Sequence, residues 1–161
     1  MARKVWGDVG KLVACLAVPQ AAGFLGSWFT AQSLATWYPA LTKPSFTPPN
    51  GVFAPVWITL YVLMGVAAFL VWRRGWRAPG VRRALFLFLL QLVLNVAWSA
   101  AFFGFRSPLG GLVVILALVV ALAVTTVAFF RVTPAAGWLL LPYLGWVCFA
   151  TALNRAILTL N

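Results

Sequence analysis

The stretch Leu109–Phe130, LGGLVVILALVVALAVTTVAFF, runs for 22 residues without a charged side chain or a proline. A helix rises 1.5 Å per residue, and about 20 apolar residues cross the roughly 30 Å hydrocarbon core of a bilayer. The run carries no polar stripe, so as a helix it has to be covered on every side by protein or lipid. Four more runs of similar character flank it, at roughly 12–30, 52–72, 84–103 and 138–158. Together they predict an all-α integral membrane protein, a single five-transmembrane-helix bundle occupying residues 1–161.

Composition agrees with this reading. Of the 161 residues, 64% are hydrophobic and 8% charged, against roughly 45–50% and about 25% in soluble domains. A water-soluble fold of this length cannot hide that much apolar surface. Twelve Lys and Arg face one acid, Asp8, for a net charge of +11. These cations lie between the apolar runs rather than along one face, which argues against nucleic acid and for anionic lipid headgroups or an anionic ligand. With five spans, one side carries Arg3, Lys4, Lys11, Arg73, Arg74, Arg77, Arg82, Arg83 and Arg131, and the other only Lys43, Arg106 and Arg155. Nine against three places the N-terminus in the cytoplasm for a protein of a bacterial cell membrane, and outer-membrane residence would only rename the sides. The cluster RRGWRAPGVRR, Arg73–Arg83, reads as a topogenic anchor. The first run, preceded by basic residues, continues past Pro19 to Trp28 and reads as a retained helix rather than a signal peptide.

Residues 31–50 hold no helical pattern, yet Pro39, Pro44, Pro48 and Pro49 stiffen the chain while Trp37, Tyr38 and Phe46 supply surface to dock. The segment reads as a semi-rigid cap on the outer face. Of nine tryptophans, Trp6, Trp28, Trp72, Trp76 and Trp138 lie at run ends, where indoles sit at the membrane interface. Trp57, Trp98 and Trp146 lie deeper and converge on the outer half of the bundle.

Gln91, Asn95 and Ser99 recur at i, i+4 and i+8 beside Trp98, and Tyr143, Trp146, Ala150 and Asn154 recur along one face of the last run. Lipid cannot satisfy these polar groups, so the two faces meet protein or a cavity. Each amide alone reads equally as interhelical hydrogen bonding. Under an aromatic cap, the two faces together describe a pocket for a large, flat, amphipathic ligand. Small-residue pairs, Ala22 with Gly26, Ala97 with Ala101 and Ala100 with Gly104, allow close helix approach within the bundle or in a homodimer.

The chemistry that is missing narrows function further. The chain has no His, hence no usual haem axial ligand, no usual proton shuttle and no His-based metal site. Proton-coupled transport lacks a carboxylate or His within a run, and no nucleophile–base or carboxylate pair exists for hydrolytic catalysis. Cys15 and Cys148 differ in depth by about 10 Å and are expected as free thiols.

The motifs Pro19-x-x-x-Gly23, WYPALTKPSFTPP (Trp37–Pro49), VFAPVWITLYVLM (Val52–Met64), QLVLNVAWSAAFFG (Gln91–Gly104) and LPYLGWVCFATALN (Leu141–Asn154), in this order and spacing, resemble the TspO/MBR family of tryptophan-rich sensory and translocator proteins. The resemblance implies a five-helix bundle, often a homodimer, that binds protoporphyrin IX-type tetrapyrroles or haem as ligand and requires no cofactor. Such a protein acts as sensor, scavenger or transporter; the alternatives are a light- and oxygen-dependent porphyrin-degrading enzyme and a passive small-molecule transporter. The resemblance puts Trp57 and Trp146 forward for binding or photochemistry, with Trp37, Tyr38, Asn95, Trp98 and Tyr143 as pocket neighbours. Gln91, Ala150 and Asn154 complete the expected ligand-binding set from periodicity, and no metal site is expected. Two departures bear on the cap: Phe46 stands where many relatives have Trp, and Pro39 where many have an acid. The sterol motif of animal relatives needs a Tyr ahead of the basic residue, and Leu153-Asn154-Arg155 lacks it, which counts against cholesterol as a partner.

Overall fold

The computed structural model describes residues 2–161, with side chains from Gly7 onward, so the expectations for the side chains of Arg3, Lys4 and Trp6 lie outside the described residues. Six α-helices follow one another: α1 (Ala2–Leu34), α2 (Trp37–Ala40), α3 (Asn50–Arg73), α4 (Val81–Ser99), α5 (Pro108–Val132) and α6 (Pro134–Leu160). Five of these are long and apolar enough to cross a membrane, with Gly7–Leu34 as the qualifying part of α1 and Val81–Gly104 as the continuous third span. The chain is a multi-pass membrane protein. In cross-section the contacts close a ring in which α1 touches α3 and α4, α3 touches α6, and α5 bridges α4 and α6.

Helix α1 begins ten residues before the expected start at position 12. Its 33 residues make a rod of about 50 Å, longer than the hydrocarbon core. The projecting part is polar, and there Asp8 pairs with Lys11 at 3.5 Å and with Arg73 at 3.9 Å, which apolar periodicity does not register. Helix α4 passes into a π-helical turn, Ala100–Gly104, where Phe105 N–H reaches back to the Ala100 carbonyl at 2.8 Å. Ser33 Oγ donates to the Phe103 carbonyl at 2.6 Å, tying α1 to that turn. Ser107 then caps α5, its Oγ accepting from Gly110 N–H at 3.0 Å, with Pro108 in the first turn.

Two glycines set how closely α1 lies on α3. Pro19 has no N–H for the Cys15 carbonyl, and Gly65 packs on that carbonyl so closely that an added Cβ would lie 2.7 Å from its oxygen. One turn on, a Cβ at Gly23 would collide with the Tyr61 ring. The pattern Pro19-x-x-x-Gly23 is therefore the seam of the α1–α3 contact. Within the bundle Gly26 also faces Ser99, and Gly104 faces Phe29.

The cap is more ordered than a loop. Trp37–Ala40 form one helical turn, and Tyr38 is buried with Phe102, Leu153 and Ile157 in a small core of its own. Lys43 Nζ lies 4.8 Å from the Tyr38 ring centroid and donates to the carbonyls of Pro39 and Leu41. Thr42 and Asn161 exchange two hydrogen bonds of 2.9 Å, pinning the cap to the end of α6. Phe46 meets Phe149 edge-on at 6.3 Å. Both cysteines are free, Cys15 buried and Cys148 exposed.

Candidate functional site

Below the cap, the ends of α1, α3, α4 and α6 enclose a cavity of about 740 Å³. Its floor is a chain of buried hydrogen bonds. Tyr61 Oη donates to Asn95 Oδ1 at 2.8 Å, Asn95 Nδ2 donates to Tyr143 Oη at 3.0 Å, and Tyr143 Oη donates to Gln91 Oε1 at 3.0 Å. Gln91 Nε2 ends the chain on the Met64 sulfur at 3.8 Å. Three helices are thus joined by polar groups that lipid could not satisfy. Among the described residues no buried side-chain nitrogen or oxygen is left without a partner.

The walls are aromatic. Trp57 sits at the centre, stacked on Tyr61 at 5.5 Å, tilted against Trp98 at 6.3 Å and edge-on to Tyr143 at 6.1 Å. Trp98 continues to Phe102 and Phe103, each at 6.1 Å. Across the cavity, Trp146 packs between Phe53 at 5.9 Å and Phe149 at 5.4 Å. The indoles differ in what they offer. Trp98 Nε1 donates to Asn154 Oδ1 at 3.3 Å, and Asn154 Nδ2 donates to the Pro108 carbonyl at 2.8 Å. Trp57 and Trp146, which also line the cavity, make no such bond among the described residues.

Exposure locates the opening. The lining residues of α4 and α6 are buried or half-buried, whereas Phe24, Ser27, Ala31 and Leu34 of α1 and Ala54 and Ile58 of α3 are exposed. The cavity therefore opens sideways between α1 and α3, in the cap-side half of the bundle. Below that gap the glycine seam draws the same two helices together.

Of the ten residues expected from sequence, Tyr38, Trp57, Asn95, Trp98, Trp146, Ala150 and Asn154 line this cavity. The other three stand behind it: Gln91 and Tyr143 are fully buried in the floor, and Trp37 supports the wall by meeting Phe102 edge-on at 5.5 Å. Sequence reasoning missed the contribution of α1, where Gly23, Gly26, Ser27 and Ala31 line the space. Their signal was a recurrence of small residues at helical spacing, a wall defined by absent side-chain volume. Among the described residues no group of three or more His, Cys, Asp or Glu could hold a metal ion.

A polytopic α-helical membrane protein with an indole-lined intramembrane cavity under a docked extramembrane cap is the class that this fold and geometry define. Residues 15–160 match the TspO/MBR family, and the chain belongs to that family. It is 49% identical over 155 residues to the tryptophan-rich protein TspO of Archaeoglobus fulgidus, covering 96% of this chain and 99% of the relative. With the protein of the same name from Chlorobaculum tepidum it shares 46% over 150 residues, 93% of this chain and 95% of the relative. The human translocator protein is 43% identical over 141 residues, 86% of this chain and 83% of the relative.

Proposed function

We propose that the protein binds a protoporphyrin IX-type tetrapyrrole in the cavity between α1, α3, α4 and α6, and acts as a sensor, scavenger or transporter of that ligand. The observation that carries this reading is the pairing of a 740 Å³ aromatic cavity with two indoles, Trp57 and Trp146, whose N–H groups the protein leaves unused. Flat faces stack on a macrocycle, and free N–H donors suit its carboxylates or ring substituents. The seven lining residues expected from sequence are the proposed contacts, with Gln91, Tyr143 and Trp37 holding them in position. Without His, metal-free protoporphyrin binds at least as well as haem. A titration of protoporphyrin into protein in detergent, read by tryptophan fluorescence quenching, tests the proposal. Saturable quenching with one ligand per chain is expected, and quenching that grows linearly without saturation would reject it.

A second reading, light- and oxygen-dependent oxidation of the bound porphyrin, draws support from the run Tyr61–Trp57–Trp98, with centroids 5.5 and 6.3 Å apart. Such an array gives a radical formed on one indole neighbours to share it with. Illumination of the complex with and without oxygen separates this activity from binding alone.

A further inference from the structure

On the opposite end of the bundle, a groove of about 620 Å³ lies between α4 and α5. Arg83 and Arg131 stand at its outer end, while Leu87, Val124 and Val127 continue it toward the membrane centre. Arg83 and Leu87 are one turn apart on α4, and Val124, Val127 and Arg131 share a face of α5. Seven residues separate Val124 from Arg131, about 10 Å of depth along the helix.

We propose that this groove is a specific site for an anionic phospholipid, with the phosphate between Arg83 and Arg131 and the first part of an acyl chain along Leu87, Val124 and Val127. Three observations converge on it. The first is charge: the only acidic side chain in the sequence is Asp8, which is taken by Lys11 and Arg73. No carboxylate side chain is therefore available to either arginine, and an anion has to come from outside. The second is polarity along the membrane normal, cationic where headgroups lie and apolar where chains lie, which matches a phospholipid and not a free phosphate ion. The third is backbone: α4 begins at this mouth after Gly80 with no side-chain cap, and its Val81 N–H is satisfied only by the Ala78 carbonyl of the preceding turn, so the positive end of the helix dipole lies at the groove.

The arginine-rich connection thereby divides into separate roles. Arg73 holds Asp8, Arg74 donates from Nη2 to Thr133 Oγ1 at 3.2 Å, and Arg83 joins Arg131 of α5 at the groove. Arg77 and Arg82 lie outside it.

The test is native mass spectrometry of full-length protein released from nanodiscs of equal phosphatidylglycerol and phosphatidylcholine. Wild type should retain one phosphatidylglycerol per chain in preference to phosphatidylcholine. The double variant Arg83→Gln/Arg131→Gln should lose that retention by about tenfold or more, since each basic side chain near an anionic surface contributes roughly fivefold. Arg77→Gln/Arg82→Gln, with the same loss of charge, should keep it. Val127→Trp, which fills the apolar part and leaves both arginines, should weaken it too, and it carries the test alone if the arginine double variant does not fold. Excess inorganic phosphate should not displace the lipid. Equal retention of both lipids, equal loss in the two double variants, retention unchanged in Val127→Trp or displacement by phosphate would each overturn the proposal.

Discussion

Trp57 and Trp146 differ from the other deep indole, Trp98, in one respect that decides their chemistry: Trp98 spends its N–H on Asn154. Replacing Trp98 thus disturbs the bundle, whereas Trp57→Phe and Trp146→Phe remove cavity-lining indoles whose N–H makes no bond within the described residues. Each should weaken porphyrin binding by up to about tenfold, the scale of a stacked aromatic contact beyond area burial. Trp76→Phe, in the exposed connection after α3, should leave binding unchanged. If indole oxidation takes part in turnover, light-driven loss of porphyrin falls much further than affinity in the Trp57 and Trp146 variants, because phenylalanine is far harder to oxidise. Equal quenching curves for all three folded variants would remove the pocket from the proposal. A second residue-scale expectation concerns Asn95, which both accepts from Tyr61 and donates to Tyr143. Asn95→Leu leaves the Tyr61 hydroxyl without its acceptor, while Tyr143 keeps Gln91, and should lower stability by about 1–3 kcal/mol in a detergent-denaturation titration.

Between elements, the α1–α3 seam and the cap are the sensitive joints. Gly65→Ala places a methyl 2.7 Å from the Cys15 carbonyl oxygen, a backbone atom that cannot turn aside, so α1 has to shift. The expected cost is about 1–3 kcal/mol, measurable by the same titration. Asn161→Ala removes both bonds to Thr42 and should raise hydrogen exchange across the cap while leaving exchange in α5 unchanged. The sequence signalled these joints unevenly. Runs of apolar residues announce spans, and Pro19-x-x-x-Gly23 announces a contact, but the partner of Gly23 is the Tyr61 ring on another helix, which no local pattern reveals. The polar stripe Gln91, Asn95, Ser99 was legible as a face that lipid cannot satisfy, though not as floor rather than wall. That distinction depends on Tyr143 reaching between Asn95 and Gln91. The π-helical turn at Ala100–Gly104 has no compositional mark in AAFFG that separates it from the helix before it.

For the molecule as a whole, five spans put the arginine-rich connection and the cap on opposite sides. Reporter fusions at Arg77 and at Lys43 should report opposite compartments, with Arg77 on the cytoplasmic side by the nine-to-three distribution of basic residues. Both reporters on one side would contradict five spans.

For the proposed tetrapyrrole, the sideways opening between α1 and α3 also sets which concentration would govern occupancy. Its rim, Phe24, Leu34 and Ile58 among others, is exposed and apolar, on helices long enough to cross a membrane. A lipophilic guest arriving through that rim is counted per lipid molecule, not per volume of buffer. Adding empty liposomes at fixed protein should therefore shift apparent saturation to higher total porphyrin in proportion to the lipid added. A membrane thin in lipid and rich in pigment would fill the same site that an expanded membrane leaves vacant, making occupancy a gauge of crowding within the bilayer.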